Sequence, residues 1–384
     1  MGFFDRFFNK ETPPAPRKRR NRVSSKLERL GVSRVRMDMT NLNRAAENAL
    51  DPNNSDRSTL LDIYERTVKD GQYIAEHDKA VAYLITEPFV ITNKKTGKED
   101  QEKTKLLERP WFTNFLKIAL DVEFWGYTLL EFQQQDSNGE FLDVIVFPRH
   151  HVRPFEKTIT KYPDETGGLP YGGTETAWFL LEMGDANVLG KLESISVEMI
   201  WKTFARSDWS EYNERYGKPF VIYQTDTDSQ TEMDEAFEMA QKFGSDLVGV
   251  TGTDEKLDVI SVASKEACEN FKQMAISCDE YIAKMVNGQT GTSDVKAWAG
   301  SAEVHERVLT EFTKSRMKRI QNDINYKLIP FLTAHGYPLN DCEFGFYTLM
   351  NKSDNTVDNK SYNADKPSKF NKDNPEDNLL GFFA

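Results

Sequence analysis

The chain has 384 residues, 61 acidic against 49 basic, and a formal charge of -12. That length allows two or three compact units of roughly 150 residues, or one elongated subunit of several parts. A hydrophobic fraction of 39% permits a real core, whereas the acidic balance argues against a general nucleic-acid binder, because phosphate affinity needs clustered Lys and Arg.

The average conceals a division. Residues 1–36 hold 11 basic and 3 acidic groups, a local +8, which leaves -20 on the other 348 residues. A basic arm is assigned to residues 1–55. In it Arg17, Lys18, Arg19, Arg20 and Arg22 follow a Pro-rich run and form the better candidate for a nucleic-acid contact. A tail that docks on an acidic neighbour would have the same composition. Arg6 stands where the myristoylation pattern requires Ser or Thr, and the Phe3, Phe4, Phe7, Phe8 cluster is too short for a signal-peptide core. No apolar run reaches the roughly 18 residues needed to span a bilayer, so a soluble, non-exported protein without membrane contact is expected. Cys268, Cys278 and Cys342 form no zinc-type pairs, and reduced thiols are expected.

Compact structure is predicted from about Ser58, whose hydroxyl can cap a helix bearing Leu61, Tyr64 and Val68. A stretch from Trp111 reads as a helix that breaks at Gly126, after which Tyr127 to Phe132 reads as a strand. Asp136 to Gly139 has turn chemistry and Leu142 to Phe147 gives a second strand. Residues 56–193 are therefore a mixed α+β region.

From Glu198 to Tyr216 aromatics recur at helical spacing (Trp201, Phe204, Trp209, Tyr212), and Gly217 and Pro219 end the run. A short block follows: strand Phe220–Thr225, a helix near Thr231–Phe243, and strands Leu247–Val250 and Leu257–Val262. The next helix runs from about Ser264 to Val286. Its Ala267, Phe271, Met274, Cys278, Tyr281 and Met285 have the 4-3-4-3-4 spacing of a narrow packing seam. Trp201, Trp209 and Tyr212 are expected to pack against Phe271, Met274 and Cys278. Asn287 to Gly300 is a Gly-rich loop. Beyond Ser301, a stretch free of Gly and Pro predicts a helix of about 28 residues, roughly 42 Å, with Val308, Phe312, Ile320, Ile324 and Leu328 on one face. From Asn351 onward the polar composition predicts disorder.

No catalytic constellation stands out. His150 and His151 would need carboxylates from elsewhere for metal or acid–base work, and a surface or subunit-contact role is expected for them. The loop Asn287 to Thr292 lacks the Gly-Lys-Ser/Thr ending of a phosphate loop. The Lys314, Arg316, Lys318, Arg319 cluster reads either as a phosphate contact or as a solvated face paired with neighbouring acids.

Two stretches resemble the Mu-like family of tailed-phage portal proteins. One is Ile200 to Phe220, IWKTFARSDWSEYNERYGKPF, with its Asp-Trp pair and aromatic-Gly-x-Pro exit. The other runs from Cys278 through Asn287-Gly288-Gln289-Thr290 to Gly300-Ser301-Ala302-Glu303-Val304-His305. Gly126 to Glu131, Phe147 to Phe155 and Cys342 to Phe346 add support in the same order, so the resemblance covers about residues 110–350.

What the resemblance implies is an α+β portal-type subunit. Residues 56–193 would be a wing, 194–217 and 264–287 two stem helices, and 218–263 a β-α-β-β clip between them, with Phe220, Tyr223, Phe237 and Phe243 as subunit contacts. Residues 288–300 would be a tunnel loop presenting Gln289, Thr290, Thr292, Lys296 and Trp298 to a channel. Residues 301–350 would be the long wing helix and a terminal strand, and 351–384 a disordered tail. Such subunits form a homo-oligomeric ring, usually of twelve, at one capsid vertex. The ring passes double-stranded DNA without sequence preference during packaging and ejection, and contacts the major capsid protein, the terminase large subunit and head-tail adaptor or neck proteins. No catalysis and no cofactor are implied, and the expected location is the virion, assembled in the host cytoplasm. The competing readings are a metal-dependent DNA-processing enzyme, which requires carboxylates or His around a divalent ion, and a monomeric packaging adaptor.

Overall fold

Three early helices begin on an aspartate. The first amides of a helix have no intrahelical acceptor, and a carboxylate one residue ahead supplies one. Asp38 accepts from Asn41 N at 2.8 Å and starts α1 (Met39–Leu50). Asp70 accepts from Gln72 N and Tyr73 N and starts α3 (Gly71–Thr86), and Asp100 accepts from Lys103 N and starts α4 (Gln101–Leu107). Between them α2 (Ser58–Thr67) uses Asp56, which accepts from Ser58 N at 2.9 Å; Ser58 is the first helical residue rather than the cap. The computed structural model describes residues 36–350 apart from 53–54, 136–138, 163–166, 173–178, 217–219, 225–228, 232, 236, 239–255, 261–264 and 291–298. Two units result, 1–349 and 350–384, and the packing described belongs to the first.

The expected start of compact structure at Ser58 is too late. Helix α1 buries Leu42, Ala45 and Ala49 in the core, so the arm assigned to residues 1–55 includes a folded helix.

The centre of the core is α5 (Pro110–Trp125), whose Trp111, Phe112, Phe115 and Phe124 are buried. Pro110 fits its first turn, where no amide is required. As the sequence predicts, α5 ends at Gly126, with φ +76. A side chain there would collide with the Val188 carbonyl oxygen and the backbone of Gly190, so the position demands glycine twice over. The chain then enters β2 (Tyr127–Gln135), which pairs antiparallel with β3 (Phe141–Val146), Leu130 facing Val146. On its other edge β2 pairs antiparallel with β7 (Leu180–Gly184), giving the order β3-β2-β7. Three two-residue strands, β4 (Val152–Arg153), β5 (Thr158–Ile159) and β6 (Leu169–Pro170), form a second small sheet.

The far end of the chain closes on the beginning. Strand β1 (Phe89–Asn93) pairs antiparallel with β10 (Cys342–Phe346), Phe89 opposite Phe346. Phe344 then meets Phe89 and Phe112 at ring-centroid distances of 5.3 and 5.7 Å. A short α10 (Tyr347–Met350) follows. The remaining elements are α6 (Leu192–Tyr216), β8 (Phe220–Gln224), β9 (Lys256–Ile260), α7 (Lys265–Asn287), α8 (Ala299–Asp323) and α9 (Ile329–Ala334). The architecture is mixed helix and strand.

The helix predicted to end at Leu328 instead continues through a π-helical turn, Ile324–Leu328, into α9. Pro330 explains the widening: its ring would crowd the carbonyl four residues earlier, and a π turn relieves that. The inward face also differs from expectation, with Leu309, Met317, Ile320, Ile324 and Leu328 buried and Val308 exposed. Within the π turn Asn325 acts as a strand partner for β10: its Nδ2 donates to Phe344 O at 2.9 Å, and its Oδ1 accepts from Phe344 N at 2.7 Å. Asn325→Ala leaves both Phe344 backbone groups unpaired and is expected to cost about 2 kcal/mol. Tyr326→Ala, at a side chain 81% exposed, should stay within about 0.5 kcal/mol. Denaturant unfolding of the two variants checks the contrast.

Candidate functional site: a helix pair and the anchored root of a loop

Helices α6 and α7 run antiparallel. Late α6 meets early α7, where the Tyr212 and Phe271 rings lie 5.9 Å apart and Cys268 Sγ lies 3.9 Å from Asn213 Oδ1. Early α6 meets late α7, where Lys202 Nζ is 2.5 Å from Asp279. Lys202 is only 2% exposed and also contacts Asp70, the cap of α3, at 2.6 Å. One buried ammonium thus joins three helices, an arrangement that holds only because two carboxylates offset its desolvation. Cys278 is buried beside it, and burial, reinforced by Glu198, pushes its thiol up to about 11.

Of the expected packing residues, Tyr212 and Phe271 meet at one end of this pair, Cys278 is buried at the other beside Lys202, and Trp209 is half-buried. Trp201 and Met274 are not in the seam: they are exposed, Trp201 by 45%. Lys202 and Ala205 take the buried side of α6 instead, and Trp201, one residue before Lys202, is turned about 100° away from it. At the distal end β8 and β9 pair antiparallel, Phe220 opposite Ile260 and Tyr223 opposite Leu257. Phe237 is exposed. The predicted strand at 247–250 and Phe243 lie outside the described residues, as do Arg17, Lys18, Arg19, Arg20 and Arg22.

The other end of α7 is tied down by a polar knot. Arg316 on α8 reaches Glu123 near the end of α5 with two nitrogens, Nε at 2.8 Å and Nη2 at 3.2 Å. It also donates to Asn287 Oδ1 at 3.2 Å and to the carbonyl of Val286. Asn287 in turn donates to the Glu76 carboxylate on α3 at 2.7 Å and to the Glu76 carbonyl at 2.9 Å. Lys191, one residue ahead of α6, contacts Glu123 at 2.5 Å and donates to Met285 O at 2.9 Å, and its Nζ lies 4.5 Å from the Phe312 ring centroid. Burial alone would raise the Glu123 carboxyl, but Arg316 and Lys191 outweigh it and hold the group below the usual carboxylate range.

Immediately after this knot Gly288 adopts φ +76, and a side chain there would press on Phe312. Gln289 is buried and Thr290 half-buried. These two begin the 288–300 segment as part of the packed body, so Gln289, expected to be presented to a channel, is buried within this chain. Thr292, Lys296 and Trp298 lie outside the described residues. Arg316 is paired with an acid of a neighbouring helix, as the second reading of its cluster expects, but it is buried rather than part of a solvated face. Arg319 likewise donates to Ala119 O at 3.2 Å and lies 3.8 Å from Glu123.

The two adjacent histidines diverge. His151 is buried and its Nδ1 lies 3.1 Å from Thr160 O, while His150 lies 3.1 Å from Glu65 and 3.8 Å from Asp62 on α2. Carboxylates that the local sequence did not supply therefore come from α2. The group is partly exposed, and it is accounted for as a His–carboxylate contact between α2 and the turn at 149–151.

The sequence profile of the family described as the portal protein of Mu bacteriophage matches residues 61–365. No curated protein matches the chain. Among solved structures, the chain is similar to an HK97-family phage portal protein from Corynebacterium diphtheriae, with a TM-score of 0.44 and 11% identity over 74% of this chain and 96% of that one. It is also similar to chains from the neck of an empty GTA particle computed with C6 symmetry (TM-score 0.47, 13% identity, 74% of this chain and 82% of that one). A third is from the neck of a native GTA particle computed with C12 symmetry (TM-score 0.43, 14% identity, 70% and 79%).

Glu123→Gln leaves Arg316 and Lys191 without their charged partner and is expected to cost about 3 kcal/mol at neutral pH. Because folded Glu123 titrates below its unfolded value of about 4.3, its contribution is complete above that pH and is lost as pH falls through the lower folded value. The stability gap between wild type and variant should therefore narrow toward acid. Urea unfolding of both proteins across that range measures it.

Proposed function

The chain belongs to the family of the portal protein of Mu bacteriophage, and from that membership we propose that it is the repeating subunit of a ring at one vertex of a phage capsid. The family is a structural, non-enzymatic phage component. The carrying observation is the extent of the match, residues 61–365, which takes in the core around α5, the α6–α7 pair, β8 and β9, the root of the loop and α8.

In this reading 56–193, together with the earlier helix α1, serves as the wing, and α6 and α7 are the stem helices. The segment 218–263 between them is the clip, in contact with adjacent subunits and with the packaging motor. Double-stranded DNA passes inward through the channel, and neck or tail proteins later seat on the same ring. The acid excess of the body, -20 outside residues 1–36, suits a wall along which phosphate must slide without sticking. The basic arm is left as the part that grips DNA or the capsid. A predominantly basic channel wall in the assembled particle would contradict this account of the charge.

The competing monomeric adaptor differs in mass. Negative-stain imaging and mass measurement of the purified chain are expected to give a closed ring of many copies; a particle of 44.1 kDa would overturn the proposal. Lys296 and Trp298 are proposed to approach the channel, carried on a segment whose root is fixed at Asn287. Deleting residues 291–298 should leave the ring assembled and impair DNA retention or packaging. Normal packaging by a phage carrying that deletion would remove the channel-facing role.

A further inference from the structure

The contact between His150 and α2 brings one ring nitrogen to two carboxylates. His150 Nε2 lies 3.1 Å from Glu65 Oε1 and 3.8 Å from Asp62 Oδ1. An imidazole carries a single N–H at that nitrogen and can donate it to one oxygen only. The hydrogen-bonded contact therefore accounts for Glu65. It leaves Asp62, whose side chain is 17% exposed, beside a nitrogen with no second hydrogen to give. Residues 62 and 65 stand three apart on α2 and so share a face of the helix. The three ligand atoms lie within 4.8 Å of one another, and among the described residues no other group of His, Cys, Asp and Glu side chains converges in this way.

Both sides of the group are held in place independently of it. The start of α2 is fixed by Asp56, which accepts from Ser58 N, and by Arg153, which donates to Asp56 at 3.0 Å and to the Ser55 carbonyl at 3.3 Å. The turn at 149–151 is fixed by the two neighbours of His150. His151 Nδ1 lies 3.1 Å from Thr160 O, and the Arg149 guanidinium carbon lies 4.2 Å from the centroid of the Trp125 ring. Arg149 acts on Glu65 only at longer range, and it forms no ion pair with it among the described residues.

The spacing suits a metal ion. Two donors each about 2.1 Å from one ion stand about 3.0–3.4 Å apart at octahedral or tetrahedral angles. The separation from Glu65 lies in that range, and the one from Asp62 exceeds it by about 0.4 Å, within the freedom of two partly exposed side chains. One imidazole nitrogen with two carboxylate oxygens fits a borderline dication such as zinc, whereas magnesium and calcium favour oxygen alone. Three protein ligands leave a fourth position for water.

We propose that Asp62, Glu65 and His150 form a binding site for one dication of the zinc class, which ties α2 to the turn at 149–151. The ion takes the place of the single shared hydrogen and gives Asp62 the positive partner that a neutral imidazole does not supply. Held in this way it is a crosslink in the fold. The paired ions of phosphoryl-transfer centres require a second ligand group beside the first, and the described residues supply none.

The test uses the full chain, stripped of metal with a chelator and dialysed. Zinc chloride is added at constant ionic strength, with magnesium chloride as the comparison. Metal analysis after gel filtration should return one zinc per chain. The thermal midpoint should rise with zinc and continue to climb with each tenfold increase once the site is filled, as binding linkage requires, and magnesium should leave it unchanged. His150→Ala and Asp62→Asn should each remove the zinc response, whereas His77→Gln, at the histidine paired with Asp121, should keep it. Glu65→Gln, at a side chain more than half exposed, decides the matter if either of the first two fails to fold. Crystals grown with zinc should show an anomalous peak about 2.1 Å from all three side chains. Failure of the wild type to retain zinc, equal retention by His150→Ala, or a zinc peak elsewhere and none at this place would overturn the proposal.

Discussion

The contact between Arg316 and Glu123 is the constraint on which the rest of the body depends. It joins residues 193 positions apart, and through Lys191, Asn287, Val286 and Glu76 it fixes α3, α5, the start of α6, the end of α7 and α8 at one place. A buried guanidinium that donates to a carboxylate, an amide oxygen and a backbone carbonyl has a defined direction in a way that apolar contacts do not. That direction determines where α8 can begin after the loop, and hence where the loop's two ends are held. The Phe124 and Phe312 rings lie against the Arg316 guanidinium, their centroids 5.6 and 4.6 Å from its carbon, and this low-polarity surround strengthens its contact with Glu123.

A second polar clamp governs the helix pair. The antiparallel α6–α7 arrangement has aromatic contact at one end, but near the body it relies on Lys202 between Asp70 and Asp279. The same carboxylate group that caps α3 therefore also orients α6. The helix start and the interhelix contact are one structural feature, so neither residue can be exchanged without disturbing both. The exposed Trp201, Met274 and Tyr281 then lie on surfaces that this chain alone does not cover.

Much of this was legible in the sequence where the signal is local. The aromatic run ending at Gly217, the 4-3-4-3-4 seam from Ala267 to Met285 and the break at Gly126 each report a single element, and α6, α7 and the α5–β2 junction follow them. What escaped is nonlocal or masked by composition. Arg316 sits among Lys314, Lys318 and Arg319 and looks like one member of a basic patch, because Glu123 lies far away in sequence. Helix α1 was hidden by the charge of the residues before it, although Asp38 followed by Leu42, Ala45 and Ala49 at helical spacing was a usable signal. Aromatic bulk at helical spacing points Trp201 inward, whereas the buried position belongs to Lys202, whose carboxylate partners Asp70 and Asp279 lie outside α6. The carboxylates beside His150 escaped for the same reason.

The π turn at Ile324–Leu328 has a consequence for how the two ends of the chain's longest helical run relate. Widening one turn admits about one additional residue, which rotates everything after it by about 100° relative to an uninterrupted α-helix. Upstream, the phase of α8 is set by the requirement that Arg316 meet Glu123. Downstream, it is set by Phe331, which must lie 4.6 Å from Phe132 in the aromatic core. The π turn is therefore a phase adjuster between an ionic register and an aromatic one, allowing each to be met by a helix that never unwinds.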